Sequence, residues 1–288
     1  MTITERQETP IPGTGTSTTN PAAAEAVFGH ATARLLAPLQ VRAGETVVDV
    51  GPGAGSATLA LAEAVGERGR VHVVDIDPAM LEATMNAVGN AGLTDRVRPI
   101  LHDLESGPPP IHDAVDAVWS SACVHHTRDW GAAVRALTSL LRPGGALCIA
   151  EGGLPSRSIP WDCGVGKPGL ETRLDAAHNR WSTQWFAGRA GVRRYTGDWG
   201  EILGAAGLEG VTRLSTLIDY PAPLDQQVRG VVLDELAARV RRAGPFLDDS
   251  DAAAWKTLLD PADPQWLGHR PDLALLTVRT AFYGRRPE

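Results

Sequence analysis

Two kinds of apolar pattern alternate along residues 46–150. Continuous apolar runs typical of buried strands occur at Thr46–Val50, Arg70–Ile76, Val97–Leu101, Ala114–Ser120 and Ala146–Ala150. Stretches with apolar residues at helical spacing separate them, at Ser56–Val65, Pro78–Ala91 and Gly131–Leu141. Such alternation with short turns predicts an α/β fold in which helices cover both faces of a doubly wound, mostly parallel sheet.

The pattern changes on both sides of this region. Residues 1–20 are rich in Thr, Pro and Gly without periodicity, which predicts a disordered tail. We predict a single domain over 21–288 with insertions at about 152–199 and 221–270 that form a lid. The further predicted helices are Ala22–Leu39, Leu174–Phe186, Asp198–Ala206, Asp225–Ala243 and Asp251–Leu259, and the further strands Val211–Ile218 and Leu273–Tyr283.

The most informative segment is the glycine-rich turn between the first strand and the first helix that follows it. Gly51, Gly53 and Gly55 stand at alternate positions, and Ser56 opens the helix. Glycines let the turn bend and let a ligand lie against the backbone, while the helix N-terminus offers free N–H groups. A dinucleotide fingerprint needs a glycine at position 56, and a P-loop needs a Gly-Lys pair, so neither matches. A purely structural turn remains an alternative.

A carboxylate at the end of the second predicted strand favours a ligand-binding turn over a purely structural one. Asp75 lies about twenty residues after the glycines, where a side chain can accept hydrogen bonds from two ribose hydroxyls. Asp77, just before Pro78, is better explained as a helix cap. The two features together favour a nucleoside-containing ligand.

Five motifs in order now resemble the class I S-adenosylmethionine-dependent methyltransferases. They are Val-Val-Asp-Val-Gly-Pro-Gly-Ala-Gly at 47–55, Val-Asp-Ile-Asp-Pro-Ala-Met-Leu at 74–81, His-Asp-Leu at 102–104, the fourth strand with its His-His tail at 113–126, and Leu-Arg-Pro-Gly-Gly at 141–145. The resemblance covers roughly Glu45–Glu151. It implies a Rossmann-like, seven-stranded sheet whose last strand is antiparallel, and S-adenosylmethionine as cofactor.

The resemblance also implies roles for single residues. Asp49 and the backbone of Gly51, Gly53 and Gly55 hold the methionine part of the cofactor, and Asp75 takes the ribose. The other implied contacts, to the adenine or beneath the sulfonium, are Ile76, Met80, Asp103, Leu104, Ser120 and Ser121.

Titratable residues at the ends of the fourth and fifth strands are candidates for catalysis. His125, His126 and Glu151 lie where an open α/β sheet binds its ligands. A histidine beside a carboxylate can remove a proton from an acceptor atom. One histidine shaping the loop, and Glu151 serving as a cap, are the structural alternatives.

Aromatic residues concentrate in the first predicted insertion. Trp161, Trp181, Trp185 and Tyr195 are candidates for lining an acceptor pocket, although Trp181 and Trp185 are spaced as packing residues on one helix face. In the second insertion, the arginines at 239, 241 and 242 predict a solvated helix face. A lid of this kind favours a small-molecule acceptor over a macromolecule.

Charge and composition exclude several classes of protein. The formal charge of −7 argues against a general nucleic-acid surface, and the Asn/Asp-Pro-Pro-Tyr/Phe signature of nucleic-acid methylation is absent after the fourth strand. No apolar run suits a membrane span or a signal peptide, so we expect a cytoplasmic protein. Lys167 and Lys256 are the only lysines, which suggests a high-GC bacterial source. The three cysteines indicate neither a metal site nor a disulfide framework.

The sequence therefore predicts a methyltransferase that acts on an O, N or C atom of a small organic molecule, with a natural-product intermediate as one candidate. Two other classes stay open: a nicotinamide-dependent oxidoreductase and a non-catalytic cofactor-binding protein. The acceptor, the need for a general base and a homodimeric state are also open.

Overall fold

A computed structural model describes residues 21–288; the predicted tail lies outside the described residues. The helices are Pro21–Leu36 (α1), Ser56–Val65 (α2), Pro78–Asn90 (α3), Trp130–Leu140 (α4), Leu170–Ala187 (α5), Trp199–Ala205 (α6), Gln226–Ala243 (α7) and Asp249–Leu259 (α8). The strands are Thr46–Val50 (β1), Arg70–Asp75 (β2), Val97–Leu101 (β3), Val115–Ser121 (β4), Leu141–Ala150 (β5), Gly153–Arg157 (β6), Glu209–Tyr220 (β7) and Leu275–Arg285 (β8). None of these helices is long and apolar enough to cross a membrane.

All eight strands belong to one sheet. Its order is β3-β2-β1-β4-β5-β8-β6, and β7 also pairs with β8. The first five strands pair in parallel, whereas β8 is antiparallel to β5, β6 and β7. The predicted mostly parallel sheet with an antiparallel last strand is therefore confirmed.

The sheet has one strand more than the seven predicted. β6 lies just beyond β5 and pairs with the N-terminal half of β8, with Gly153 opposite Arg279. Only residues 282–285 of β8 face β5, so the rest of this long strand can pair with β6. The Leu-Pro-Ser sequence of β6 shows no strand pattern. It forms a strand only through its pairing with the distant β8, which the local sequence does not indicate.

Apolar side chains cover both faces of the sheet. One core cluster joins the strands to α2 and α3 through residues such as Leu61 and Val88. The cluster on the other face joins them to α4 and α6 through Leu137 and Leu203. A third cluster contains the fully buried Trp255 and packs α1, α5, α7 and α8 together. The helices of both insertions thus share a core with α1.

Candidate functional site

The glycine-rich turn connects the end of β1 to α2 at the carboxyl edge of the parallel strands. Gly51 and Gly53 have positive φ angles of 70° and 56°. A Cβ atom at Gly51 would lie 2.6 Å from the Cβ of Cys123, so close packing requires glycine there. At Gly53 a Cβ would meet no described protein atom within 4 Å. The backbone at Gly53 therefore faces open space.

Helix α2 begins at this turn without a capping side chain, since Gly55 occupies the N-cap position. The first N–H groups of a helix have no partner inside the helix and carry the positive end of its dipole. Five other helices satisfy such groups with an aspartate side chain: Asp77, Asp129, Asp198, Asp225 and Asp248. The start of α2 is thus left available to a ligand.

The ends of β2 and β3 bring two aspartates to the same edge. Asp75 Oδ1 accepts the N–H of Asp77 at 2.9 Å, and the N–H of His102 donates to the Asp75 carbonyl at 2.8 Å. Burial raises the pKa of Asp75, an effect that its backbone hydrogen bonds only partly offset. Asp103 accepts the N–H of Glu105 at 2.8 Å. Asp77 caps α3, as the sequence indicates.

The remaining predicted cofactor contacts differ in exposure. Ile76 and Met80, which follow Asp75 in the sequence, are 51% and 39% exposed. Leu104 is buried. At the end of β4, Ser121 is partly exposed, whereas Ser120 is buried and its hydroxyl has no hydrogen-bond partner among the described residues.

Asp49 lies beneath the turn, 1% exposed, and its Oδ2 accepts the Thr58 hydroxyl at 2.6 Å. Burial, together with the nearby charge of Asp75, raises the pKa of Asp49 to about 7, although the Thr58 hydrogen bond acts in the opposite direction. A buried carboxylate without a cation is unfavourable. A positively charged ligand group nearby would stabilise the ionised form.

Asp49 is expected to make the free protein less stable as the pH rises. Its pKa is near 4 in the unfolded chain and about 7 when folded, so the folded state retains a proton that the unfolded state loses. The contribution of Asp49 to the free energy of unfolding is fully present below pH 4 and is lost as the pH rises through 7. Relative to Asp49→Asn, the wild type should lose about 4 kcal/mol between pH 4 and 8 in urea unfolding. Parallel pH profiles for the two proteins would contradict this.

His125 and Glu151 form a close pair at the ends of β4 and β5. The His125 Nδ1 lies 2.7 Å from Glu151 Oε2. Glu151 is 4% exposed, and its Oε1 accepts the N–H groups of Cys123 at 2.9 Å and His125 at 3.3 Å. A carboxylate only accepts hydrogen bonds, so Nδ1 carries the proton and the lone pair is on Nε2. The pair fixes both the tautomer and the ring orientation of His125.

His126 has a different environment. Its ring is 3.8 Å from the ring of His125, centre to centre, and 5.9 Å from that of Trp185. Burial, then the neighbouring His125 and Arg189, lower the pKa of His126 to about 3. Its ring nitrogens have no hydrogen-bond partner within residues 21–288. His126 is therefore a neutral, largely apolar contact for the first insertion.

The candidate acceptor residues are placed in three ways. Trp181 stacks on Trp185, which faces His126. The Tyr195 hydroxyl donates to Asp129 and accepts the N–H of Gly131 at 2.9 Å, so Tyr195 attaches its loop to α4. Trp161 is 74% exposed beside Gly169, and no ring contact within the described part of the chain joins it to the others.

The solvated face predicted for α7 is wrong at Arg239. This side chain is 8% exposed and forms ion pairs with Glu171 and Asp175 of α5. Of the three arginines, Arg241 alone is exposed, and Arg242 is half-buried. Arg239 belongs to the interface between α5 and α7. Its carboxylate partners lie more than sixty residues earlier in the chain, so the local spacing of residues could not indicate this burial.

The sequence also missed a cluster that joins the first insertion to the β3 edge. Glu105 follows Leu104 and accepts the N–H of Arg128 at 2.8 Å and the guanidinium of Arg189 at 3.1 Å. Arg189, just after α5, also donates to the backbone carbonyl of His126. The sequence does show an acidic residue, Glu105, next to the motif at 102–104. It does not show that Arg189 is its partner, because the two residues lie far apart in the chain.

Similarity to a family model covers the glycine-rich turn, Asp75, Asp103 and both histidines, but neither Glu151 nor the two insertions. A family model described as a methyltransferase domain matches residues 47–145. The ubiquinone/menaquinone biosynthesis C-methyltransferase UbiE of Vibrio vulnificus is 32% identical over 110 residues, which are 38% of this chain and 42% of that protein. UbiE of Hahella chejuensis is 31% identical over 119 residues, 41% of this chain and 47% of that one. The aligned region thus spans less than half the length of these relatives.

Solved structures share the fold at low sequence identity. The YcgJ protein of Bacillus subtilis is 19% identical with a TM-score of 0.52, over 90% of this chain and 99% of that one. The phosphoethanolamine N-methyltransferase 2 of Haemonchus contortus, solved with S-adenosylhomocysteine, is 17% identical with a TM-score of 0.51, over 93% and 57%. The solved structures thus share the fold, while the family model and the UbiE relatives make residues 47–145 similar to a methyltransferase domain, as the five motifs predict.

Proposed function

We propose that this protein transfers the methyl group of S-adenosylmethionine to a small organic acceptor. One juxtaposition carries the proposal: the open space over Gly53 and the uncapped start of α2 lie at the same edge of the sheet as Asp75, since the Gly51 N–H donates to the Val74 carbonyl at 2.9 Å. Ligands of open α/β sheets bind at this edge.

The residues at this edge fit the chemical groups of the cofactor. Free N–H groups at the start of α2 suit the methionine carboxylate, and Asp49 suits its ammonium group. The Asp75 carboxylate suits two ribose hydroxyls, while the exposed Ile76 and Met80 offer apolar contact to the adenine. When bound, S-adenosylmethionine supplies an electrophilic methyl group, so the protein's main task is to hold the acceptor atom in line.

We assign His125 as the general base for acceptors that must lose a proton. Glu151 Oε2 accepts the Nδ1 proton across a 2.7 Å N–O distance and leaves the Nε2 lone pair for the acceptor. His126, with its pKa lowered to about 3, is a poor base at neutral pH and serves as a packing contact. Asp103 and Leu104 would contact the adenine of the bound cofactor, and Ser120 and Ser121 would lie beneath its sulfonium.

The acceptor is proposed to be a small molecule because the first insertion packs against His126, the neighbour of the proposed base. Trp185 contacts His126, and Arg189 ties the end of α5 to the loop that carries both histidines. A macromolecular substrate would need this face open. The UbiE relatives act in quinone biosynthesis, and a biosynthetic intermediate is the corresponding proposal here.

Calorimetry with S-adenosylhomocysteine tests the cofactor site. The wild type should bind it, and Asp75→Ala should lose about 3 kcal/mol, or more than a hundredfold in affinity, because two hydroxyls lose a charged acceptor. Asp77→Ala is the matched control: it removes the α3 cap at a cost of about 1 kcal/mol in stability but should keep the wild-type affinity. Equal losses in the two variants would contradict the assignment.

A further inference from the structure

The sheet ends at β7, whose outer side has no strand partner among residues 21–288. β5 and β6 pair with one side of β8, and β7 pairs with the other side. This outer side, the β7 edge, presents the backbone N–H and C=O groups of a strand of twelve residues. Eight of the twelve are exposed, so helices α1 and α6, which contact β7, leave most of the strand uncovered.

The strand at the opposite end of the sheet is protected against pairing, whereas β7 is not. β3 has five residues, and Pro99 at its centre lacks the N–H group that a further strand would need. β7 contains no proline, and its one register shift lies between Glu209 and Thr212, so residues 212–220 are regular. A long, regular and exposed strand at the end of a sheet is a template for pairing with another strand.

An exposed apolar patch adjoins the β7 edge. Leu217 of β7 and Leu154 of β6 both pair with Val278 of β8, so the three side chains lie in one row on one face of the sheet. Leu276, two residues before Val278, lies on the same face. The side chains of Leu154, Leu217 and Leu276 are 64%, 60% and 44% exposed. Contiguous apolar side chains that stay exposed indicate a surface that binds a partner.

Two opposite charges on β7 indicate which partner fits this edge. Arg213 and Asp219 are exposed on the same face as Leu217, and neither forms an ion pair within the described part of the chain. They lie three residues before and three residues after Thr216. If a second copy of β7 pairs antiparallel with Thr216 opposite Thr216, Arg213 of each copy faces Asp219 of the other. Leu217 then faces Ser215 and lies diagonally across from the second Leu217.

We propose that two copies of this protein associate through their β7 edges, antiparallel about Thr216, and form one continuous sheet across a two-fold axis. Two-fold symmetry requires a surface that is complementary to itself, and the placement of Arg213 and Asp219 meets this requirement. Opposite charges that face each other across two strands stabilise a sheet, whereas like charges destabilise it. This inference does not depend on the proposed methyltransferase function.

Sedimentation velocity of the whole chain over a range of protein concentrations tests the dimer. The wild type should dimerise. Arg213→Asp and Asp219→Arg each place like charges opposite each other twice in the interface, so each should raise the dimer dissociation constant about tenfold or more. An equimolar mixture of the two variants should dimerise again, because each changed residue then faces the opposite charge. This rescue is specific for an interface in which residue 213 faces residue 219.

Leu217→Lys and Leu154→Lys separate the β7 edge from the apolar face beside it. The two leucines are nearly equally exposed, but only Leu217 lies on β7. Leu217→Lys should weaken the dimer, and Leu154→Lys should keep the wild-type dissociation constant. A wild type that is monomeric at every concentration, as when residues 1–20 cover the edge, would overturn the inference. So would a dimer that neither charge variant weakens, a mixture that fails to dimerise, or equal weakening by the two lysine variants.

Discussion

Gly53→Ala is expected to reduce the affinity for S-adenosylhomocysteine at least about a hundredfold while leaving the fold intact. Gly53 has a φ of 56°, and an added Cβ meets no described protein atom within 4 Å. The protein therefore has room for the alanine side chain, although the left-handed backbone should lower the free energy of unfolding by about 1–2 kcal/mol. The space that it fills is the one assigned to the ligand, which must lie close to this backbone.

Gly92→Ala is the matched control for this variant. Gly92 has a φ of 70° and equally open surroundings. It follows the far end of α3, about 20 Å along the helix axis from Asp77. Thermal unfolding should show a similar loss of stability in both variants, and calorimetry a loss of binding in Gly53→Ala alone. Wild-type affinity in Gly53→Ala would refute the placement of the cofactor over the glycine turn.

Glu151→Gln is expected to disorder the proposed base. All the groups at the carboxyl oxygens of Glu151 are donors, namely the N–H groups of Cys123 and His125 and the His125 ring. A glutamine must place its own NH₂ against one of these donors, at a cost of about 1–3 kcal/mol. His125 then loses its fixed tautomer, and turnover of an acceptor that must lose a proton should fall roughly 10²–10⁴-fold.

Ring ¹⁵N spectra of histidine report this change without an acceptor. The wild type should show His125 protonated at Nδ1, and Glu151→Gln should show a mixture of tautomers. The ring of His102, which bonds the Gly107 carbonyl, is an internal control that should not change. An unchanged His125 tautomer in the variant, or an Nε2-protonated His125 in the wild type, would exclude this base. Affinity for S-adenosylhomocysteine should stay the same.

The parts of the fold that local patterns encode were predicted well. β1, α2 and β3 have the predicted bounds, because each is a continuous apolar run or an apolar stripe between clear turn residues. The carboxyl ends of parallel strands meet at one edge, so the order of the strands was enough to bring Gly51, Asp75 and Ser120 together. These predictions needed no knowledge of distant contacts.

The parts that depend on distant partners could not be predicted. β6 is a strand only because β8 extends past β5, and Arg239 is buried only because α5 supplies Glu171 and Asp175. Tyr195 stays a predicted pocket residue, but the bonds of its hydroxyl to Asp129 and Gly131 at the start of α4 could not be predicted because both partners lie more than sixty residues earlier. Neither hydropathy nor spacing encodes which of two distant polar groups will meet.

A titration of the ¹⁵N-labelled protein with S-adenosylhomocysteine, followed by amide NMR spectra, tests directly whether the cofactor binds over the glycine-rich turn. We expect saturable shifts at Gly53, Gly55 and Ser56 and around Asp75, with little change at Gly92. NADH at the same concentrations should give no saturable shift at these positions. Saturable shifts with NADH but not with S-adenosylhomocysteine, or shifts that avoid the glycine-rich turn, would refute S-adenosylmethionine binding at this site.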